Sequence, residues 1–312
     1  MDAIHLLVLP LILFLALYTI TQHFLHKLLN LPPTPFPNLP FIGHIYFFTK
    51  STPFHRALSE VSRRHGPILF LRLGSRPVLL ISSPSAAHAC FTKNDIVFAN
   101  RPNLLNGKHF GYNFTSLAWA SYGDHWRNLR RISALELLSS HKLNLLSSIR
   151  ANEARTLIWK LMENNNPSKD VDMRKLFFGH IYNTVTRMIT AGEVGVENSK
   201  EAEMFQAIVA EMSRVTLEAN VADFLPFMRW FRFGDVERKL SLVQEKRDRF
   251  MEKVIEERRR RRRREEESDG GGKQKSLIQV LLDLQREEPE YYTDETIRNL
   301  FLVSNSAIDF VL

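Results

Sequence analysis

Tyr122-Gly123-Asp124-His125-Trp126-Arg127-Asn128-Leu129-Arg130-Arg131 decides how this 312-residue chain is read. The pattern after Gly123 predicts a helix over roughly 124–138. On such a helix Trp126 and Arg130 stand at i and i+4, on one face. An indole N–H and a guanidinium fork are both donors, and arginine keeps its charge at any working pH. The pair therefore suits carboxylates that need neutralising when they are buried. A packed Trp beside a solvated Arg has the same spacing, so the surroundings must decide.

On the N-terminal side, Phe54 to His65 reads as an amphipathic helix ended by Gly66-Pro67. Ile68 to Leu73 and Val78 to Ser82 are apolar, β-rich runs joined by Gly74-Ser75-Arg76-Pro77, which predicts a hairpin. Ser83 is placed to cap a following helix, with Pro84 at its first position. From Asn100 to Gly123 the pattern is irregular, a length uncommon unless functional. Beyond it, helical patterning predicts helices over about 141–164, 172–191, 200–221, 235–266, 275–287 and 294–303. The fold class is mainly α with a small N-terminal β-sheet (α+β).

Ile4 to Ile20 is an apolar stretch broken mainly by His5 and Pro10. As a helix these residues span roughly 26 Å, close to a thin bilayer. A cleaved signal peptide wants a basic start and a small-residue cleavage site, and neither is present. The first basic side chain, Lys27, follows the span, which predicts an uncleaved anchor with the body on the cytosolic side. Then comes Leu31-Pro32-Pro33-Thr34-Pro35-Phe36-Pro37-Asn38-Leu39-Pro40-Phe41-Ile42-Gly43-His44. Its prolines forbid helix and predict a stiff, extended spacer.

Composition is that of a globular chain, 44% hydrophobic and 24% charged. The formal net charge is +8, but Arg258 to Arg264 are seven consecutive arginines, and removing these seven leaves +1 of the +8. This disfavours nucleic acid as a partner, and the run reads as a solvated helix end. Val236, Leu240, Val243, Phe250 and Val254 form a core face that fades before it. The single cysteine excludes an intramolecular disulfide and fits a reducing compartment.

The anchor, the proline hinge with its Leu39-Pro40-Phe41-Ile42-Gly43 tail, the helix–hairpin–helix order and Trp126-x-x-x-Arg130 together resemble a microsomal cytochrome P-450 of plants, a haem-thiolate monooxygenase. The resemblance implies an incomplete P-450 fold behind an N-terminal transmembrane helix. Residues 1–30 would be the anchor, 31–44 the hinge and 45–312 the N-terminal part of the catalytic domain. It also implies Trp126 and Arg130 as partners of the propionates of haem b. The family's loop before this helix and the end of a later helix face the distal side of the haem. That implies Phe110, Tyr112, Asn113, Phe114, Leu217 and Asn220 as substrate contacts. In detail the chain is similar to the branch that hydroxylates isoflavonoids, implying a small aromatic or phenolic substrate. The implied partners are NADPH–cytochrome P-450 reductase, met by basic residues such as Arg127, Arg131 and Lys142, and the endoplasmic-reticulum membrane. Phe224 to Phe233 mixes aromatics with arginine, which suits that membrane's interface and internal packing alike.

The remaining family motifs are missing. The thiolate loop, Phe-x-x-Gly-x-Arg-x-Cys-x-Gly, has no counterpart. Cys90, in an early helix beside His88, reads as a small buried hydrophobe. A Cys–His nucleophile would need an orienting group and an oxyanion donor, and neither is evident. Glu211 with Arg214, and Glu256 with Arg259, have the family's Glu-x-x-Arg spacing in the wrong places. After Tyr291 to Leu300 the oxygen-activating Ala-Gly-x-Asp/Glu-Thr is expected, but Ala307 and Asp309 are only a faint echo. The resemblance covers about residues 4–302, the pattern of a truncated product. No catalytic residue and no metal ligand is therefore assigned. Two expectations follow. One is the N-terminal part of a monooxygenase, inactive as a 312-residue chain for want of its cysteine ligand. The other is a non-catalytic, membrane-anchored helical fragment that binds no haem.

Overall fold

A computed structural model describes residues 2–47, 53–163, 171–190, 199–225, 234–267 and 276–300. They divide into two compact units, one of residues 1–99 with 221–234, the other of 100–220 with 235–312.

The first unit begins with helix α1, Asp2–Leu28. Its segment Val8–Leu28 is long and apolar enough to cross a membrane. Leu9, Leu13, Leu17 and Phe24 are each at least 64% exposed, so this helix buries its apolar surface against no protein core. Helix α2, Phe54–His65, falls where the pattern placed it. Strands β1, Ile68–Leu73, and β2, Arg76–Ile81, pair antiparallel with Leu69 opposite Leu80 and Leu71 opposite Val78. Leu69, Leu71 and Leu73 are buried, while Phe70 and Arg72 take the opposite face, as alternation requires. Val61 of α2 closes the small core over Leu69 and Leu71. Helix α3, Pro84–Phe91, starts under the Ser83 cap, and the short α4, Asp95–Phe98, follows.

The proline segment is laid against β1 rather than standing off as a spacer. Proline lacks an N–H but keeps its carbonyl. The Pro33 carbonyl accepts from Phe70 N–H at 2.9 Å. His44 is fully buried; its Nε2 donates to the Pro35 carbonyl at 2.8 Å and its Nδ1 accepts from Arg72 N–H at 3.0 Å. Gly43 bridges to Leu73 at φ +59°, where an added Cβ would meet the Arg72 carbonyl oxygen at 2.0 Å. Only glycine fits that approach. Residues 221–225 also join this unit, the Phe224 carbonyl accepting from Ser75 N–H at 2.9 Å.

The second unit is helical. After α5, Leu105–His109, come α6, Asp124–Glu136, α7, Ser140–Leu145, α8, Ser147–Glu163, and α9, Met173–Ile189. Helix α10, Ser199–Phe224, precedes α11, Gly234–Glu267, and α12, Leu277–Glu287. Residues 294–300 are helical too. The helix expected over 141–164 is two, because the chain turns out of the helix at Leu146. Helix α5 is too short for its periodicity to show in the sequence. Leu129 and Ile132 of α6, Tyr182 and Ile189 of α9, Phe205 of α10, Phe250 and Met251 of α11 and Ile278 of α12 share one core. Val236, Leu240, Val243, Phe250 and Val254 are all buried, as their spacing predicts. Helix α12 starts with a capping box, Ser276 with Gln279.

The arginine run continues α11, with Arg263 and Arg264 exposed. Arg259 turns back onto Glu256 at 2.7 Å and Asp294 at 2.5 Å. Burial pushes the Asp294 carboxyl up, but the Arg259 and Gln285 bonds outweigh it and hold that carboxyl below the ordinary range.

Candidate functional site

Helix α6 carries the Trp126–Arg130 pair. Its inner face is set by Leu129 and Ile132, both buried. Its flank is fixed by hydrogen bonds to residues far along the chain. Asn128 Nδ2 donates to the Tyr292 hydroxyl at 2.9 Å. His125 Nε2 lies 2.7 Å from the Thr115 carbonyl, which only accepts, so that nitrogen carries the proton. Nδ1 is left to accept from the Tyr291 hydroxyl at 2.8 Å. His125 and Asn128 are not among the residues expected from the sequence. Their spacing of three, beside an apolar pair, was the available signal.

With α6 held this way, Trp126 is half-buried and Arg130 exposed. The Arg130 guanidinium lies over the indole, 5.1 Å from the ring centroid. The Tyr122 ring is tilted against the indole at 5.7 Å between centroids. Among the described residues no carboxylate pairs with Arg130, whereas Arg127 is paired with Asp124. A charged fork and an indole thus share one open face of α6. That fits the propionate edge of a haem.

The iron side is different. The only cysteine, Cys90, is half-buried on α3 in the other unit, and neighbouring His88 is exposed. Among the described residues no group of three or more His, Cys, Asp or Glu side chains could hold a metal ion. The chance Glu-x-x-Arg pairs are surface features: Glu211 binds Lys246 at 2.8 Å, and Glu256 binds Arg259 within α11.

Phe110, Tyr112, Asn113 and Phe114 are brought together on one tight turn. Tyr112, Asn113 and Phe114 all adopt positive φ, from 47° to 65°, a strained run for residues other than glycine. The turn is over-determined from two sides. An added Cβ on Gly107 would lie 2.4 Å from the Phe114 ring, so Phe114 takes the space that only glycine leaves. Arg247 of α11, 1% exposed, donates to the Phe110 carbonyl at 3.0 Å and lies 4.5 Å from the Tyr112 ring centroid. The same guanidinium donates to Asp248 at 3.2 Å, and Asp248 accepts from the Tyr112 hydroxyl. Burial, reinforced by Asp248 and opposed by the Arg247 charge, raises the Tyr112 hydroxyl well above the ordinary phenol range. It stays a donor at any working pH. Asn113 is exposed and Phe110 and Phe114 half-buried. Positions 217 and 220 fall within α10, but the side chains of Leu217 and Asn220 lie outside the described residues, as do Phe227 to Phe233, Ala307 and Asp309.

Comparison with known proteins identifies the family. The cytochrome P450 family model matches residues 32–307. The chain belongs to the cytochrome P450 family. It is 39% identical over 283 residues to cytochrome P450 81E8 of Medicago truncatula, covering 89% of this chain and 54% of that one. It is 38% identical over 277 residues to cytochrome P450 81Q32 of Catharanthus roseus, covering 88% and 53%. An isoflavone 3'-hydroxylase of Medicago truncatula is 38% identical over 283 residues, covering 88% and 54%. The chain spans about half the length of the curated relatives it matches.

Proposed function

We infer that these residues form the propionate-side part of a membrane-anchored haem-thiolate monooxygenase. The observation that carries this reading is the open Trp126–Arg130 face of α6 inside a chain of the P450 family. The reaction is insertion of one oxygen atom of O₂ into a C–H bond of a small aromatic or phenolic plant metabolite. The other oxygen atom leaves as water, and two electrons come from NADPH through NADPH–cytochrome P-450 reductase. Haem b, when bound, supplies the oxygen-activating iron chemistry. The work of this chain is to bind and orient the group. Trp126 and Arg130 donate to its propionates, and the His125–Tyr291 and Asn128–Tyr292 bonds fix the helix that carries them.

Phe110, Asn113 and Phe114 are proposed as substrate contacts, together with Leu217 and Asn220. Tyr112, expected among them, is buried with its ring under Arg247 and its hydroxyl on Asp248, and its proposed part is to hold the turn that presents them. Arg127 and Arg131 keep exposed positions on α6 for an acidic reductase face, while Lys142 is paired with Glu136 at 3.1 Å. Isoflavones are the first substrates to try, since relatives named as isoflavone hydroxylases share over a third of the matched residues. The test is a chimera in which residues 1–312 run into the remaining part of one such relative, supplied with reductase and NADPH. Hydroxylated isoflavone formed in step with NADPH use is expected. A haem-loaded chimera that turns over no phenolic substrate would contradict the substrate class.

The location proposed is the endoplasmic-reticulum membrane, through α1, with the body on the cytosolic side. The exposed apolar girdle of α1 supports it. Removal of residues 1–30 is expected to move most of the protein out of the membrane pellet after alkaline-carbonate washing. Intact protein recovered in the carbonate-soluble fraction would count against an integral anchor.

A further inference from the structure

From Ile4 to Ile20 α1 is mainly apolar; Thr21-Gln22-His23 and His26-Lys27 then alternate with Phe24-Leu25 and Leu28 up to the end of the spanning segment Val8–Leu28. At 1.5 Å per residue, His23 lies about 4–5 Å and His26 about 9 Å beyond Ile20 along the helix. The headgroup layer on each side of a bilayer is roughly 5–8 Å thick. Measured from either end of the apolar segment, Ile20 or Leu28, these last turns of α1 lie about the boundary between hydrocarbon and headgroups. There they form one wall of a cleft of about 510 Å³, whose other walls are the proline segment and the outer face of β1.

The lining of this cleft is chemically one-sided. Leu25 and Phe70 give it an apolar wall, and no Asp or Glu lines it. Arg72 reaches it because alternation along β1 turns its side chain away from Leu71 and Leu73. Among the described residues no carboxylate pairs with that guanidinium, although it is half-buried. His26 meets Phe70 edge-on at 5.9 Å, and its Nε2 is buried without a hydrogen-bond partner. The amide oxygen of Asn38 is buried and unpartnered too. An arginine fork and an imidazole N–H ask for phosphate oxygens. The Asn38 oxygen asks for a donor close beside that phosphate.

We propose that this cleft binds a phospholipid of the host bilayer whose headgroup carries a hydrogen-bond donor, such as phosphatidylethanolamine. This rests on α1 being a membrane anchor. Arg72 and His26 hold the phosphate, Asn38 accepts from the headgroup ammonium, and Leu25 and Phe70 cover the start of an acyl chain. A soluble phosphate ester would satisfy the polar atoms and leave the apolar wall wet, so the lipid is the better match.

The test uses the full chain in phosphatidylcholine vesicles doped with a photoactivatable phosphatidylethanolamine. Crosslinks are expected in the peptides that contain His26 and Arg72, with unlabelled phosphatidylethanolamine competing better than phosphatidylcholine and glycerophosphoethanolamine competing poorly. Arg72→Gln should lower labelling about tenfold, the loss of one charge-assisted contact. Arg56→Gln, an equal charge change on an exposed face of α2, should leave it intact. Asn38→Leu should erase the preference over phosphatidylcholine. Equal labelling of the Arg72 and Arg56 variants, crosslinks elsewhere, or full competition by glycerophosphoethanolamine would each overturn the proposal. Flotation of the same samples separates the two ideas. Wild-type protein that floats but labels independently of Arg72 sinks the lipid site alone, whereas wild-type protein that does not float sinks the anchor and the site with it.

Discussion

Arg247→Ala is expected to destabilise the helical unit by about 3–5 kcal/mol, the cost of breaking a buried charge pair by removing one partner. The guanidinium is 1% exposed and makes three kinds of contact at once. It donates to the Phe110 carbonyl, it pairs with Asp248, and it covers the Tyr112 ring. Without it, a buried carbonyl loses its donor and the Asp248 carboxylate keeps, among the described residues, the Tyr112 hydroxyl. The three residues with positive φ would then lose one of the two supports that hold them. Arg247→Lys keeps the charge and loses the fork, so it should fall between wild type and alanine. Urea unfolding followed by circular dichroism measures both. An alanine variant within about 1 kcal/mol of wild type would show that the turn is held by other means.

Trp126→Ala and Arg130→Ala are expected to lower haem incorporation in the chimera described above. Each removes one donor from a propionate that is desolvated on binding, at a cost of about 1–3 kcal/mol. A double variant should lose more than either single one. The readout is haem per polypeptide after purification without added haem. Arg155→Ala is the control, an equal charge change on an exposed face of α8, where Arg155 donates to Asn152 within its own helix. Haem content unchanged in both site variants would contradict the assignment of this face.

What the sequence made legible was mostly local. The β1–β2 hairpin follows from alternation and from Gly74 in the turn, and the Ser83 cap from one residue and its neighbour. The α11 core face followed from spacing over a few turns. That spacing also held an unread signal. Arg247 falls in the same stripe as Val243 and Phe250, so a charge stood at a core position. A buried arginine there needed partners, and they came from the Phe110–Phe114 turn, over 130 residues earlier. Periodicity carries no information about contacts of that range. The same limit hid the bonds from His125 and Asn128 to Tyr291 and Tyr292. The docking of the proline segment was hidden for another reason: it runs through proline carbonyls and the buried His44 ring, while composition reports only what proline prevents.

The proposed haem site puts Trp126 and Arg130 at the propionates and leaves Cys90, on α3, off the iron. The most direct measurement is the reduced carbon-monoxide difference spectrum of residues 1–312, expressed with haem precursor, beside the chimera and its Cys90→Ser variant. The chimera and the variant are expected to show the same thiolate-ligated band, and residues 1–312 alone are expected to show none. A thiolate-type band from residues 1–312, or its loss from the chimera when Cys90 is replaced, would contradict the account.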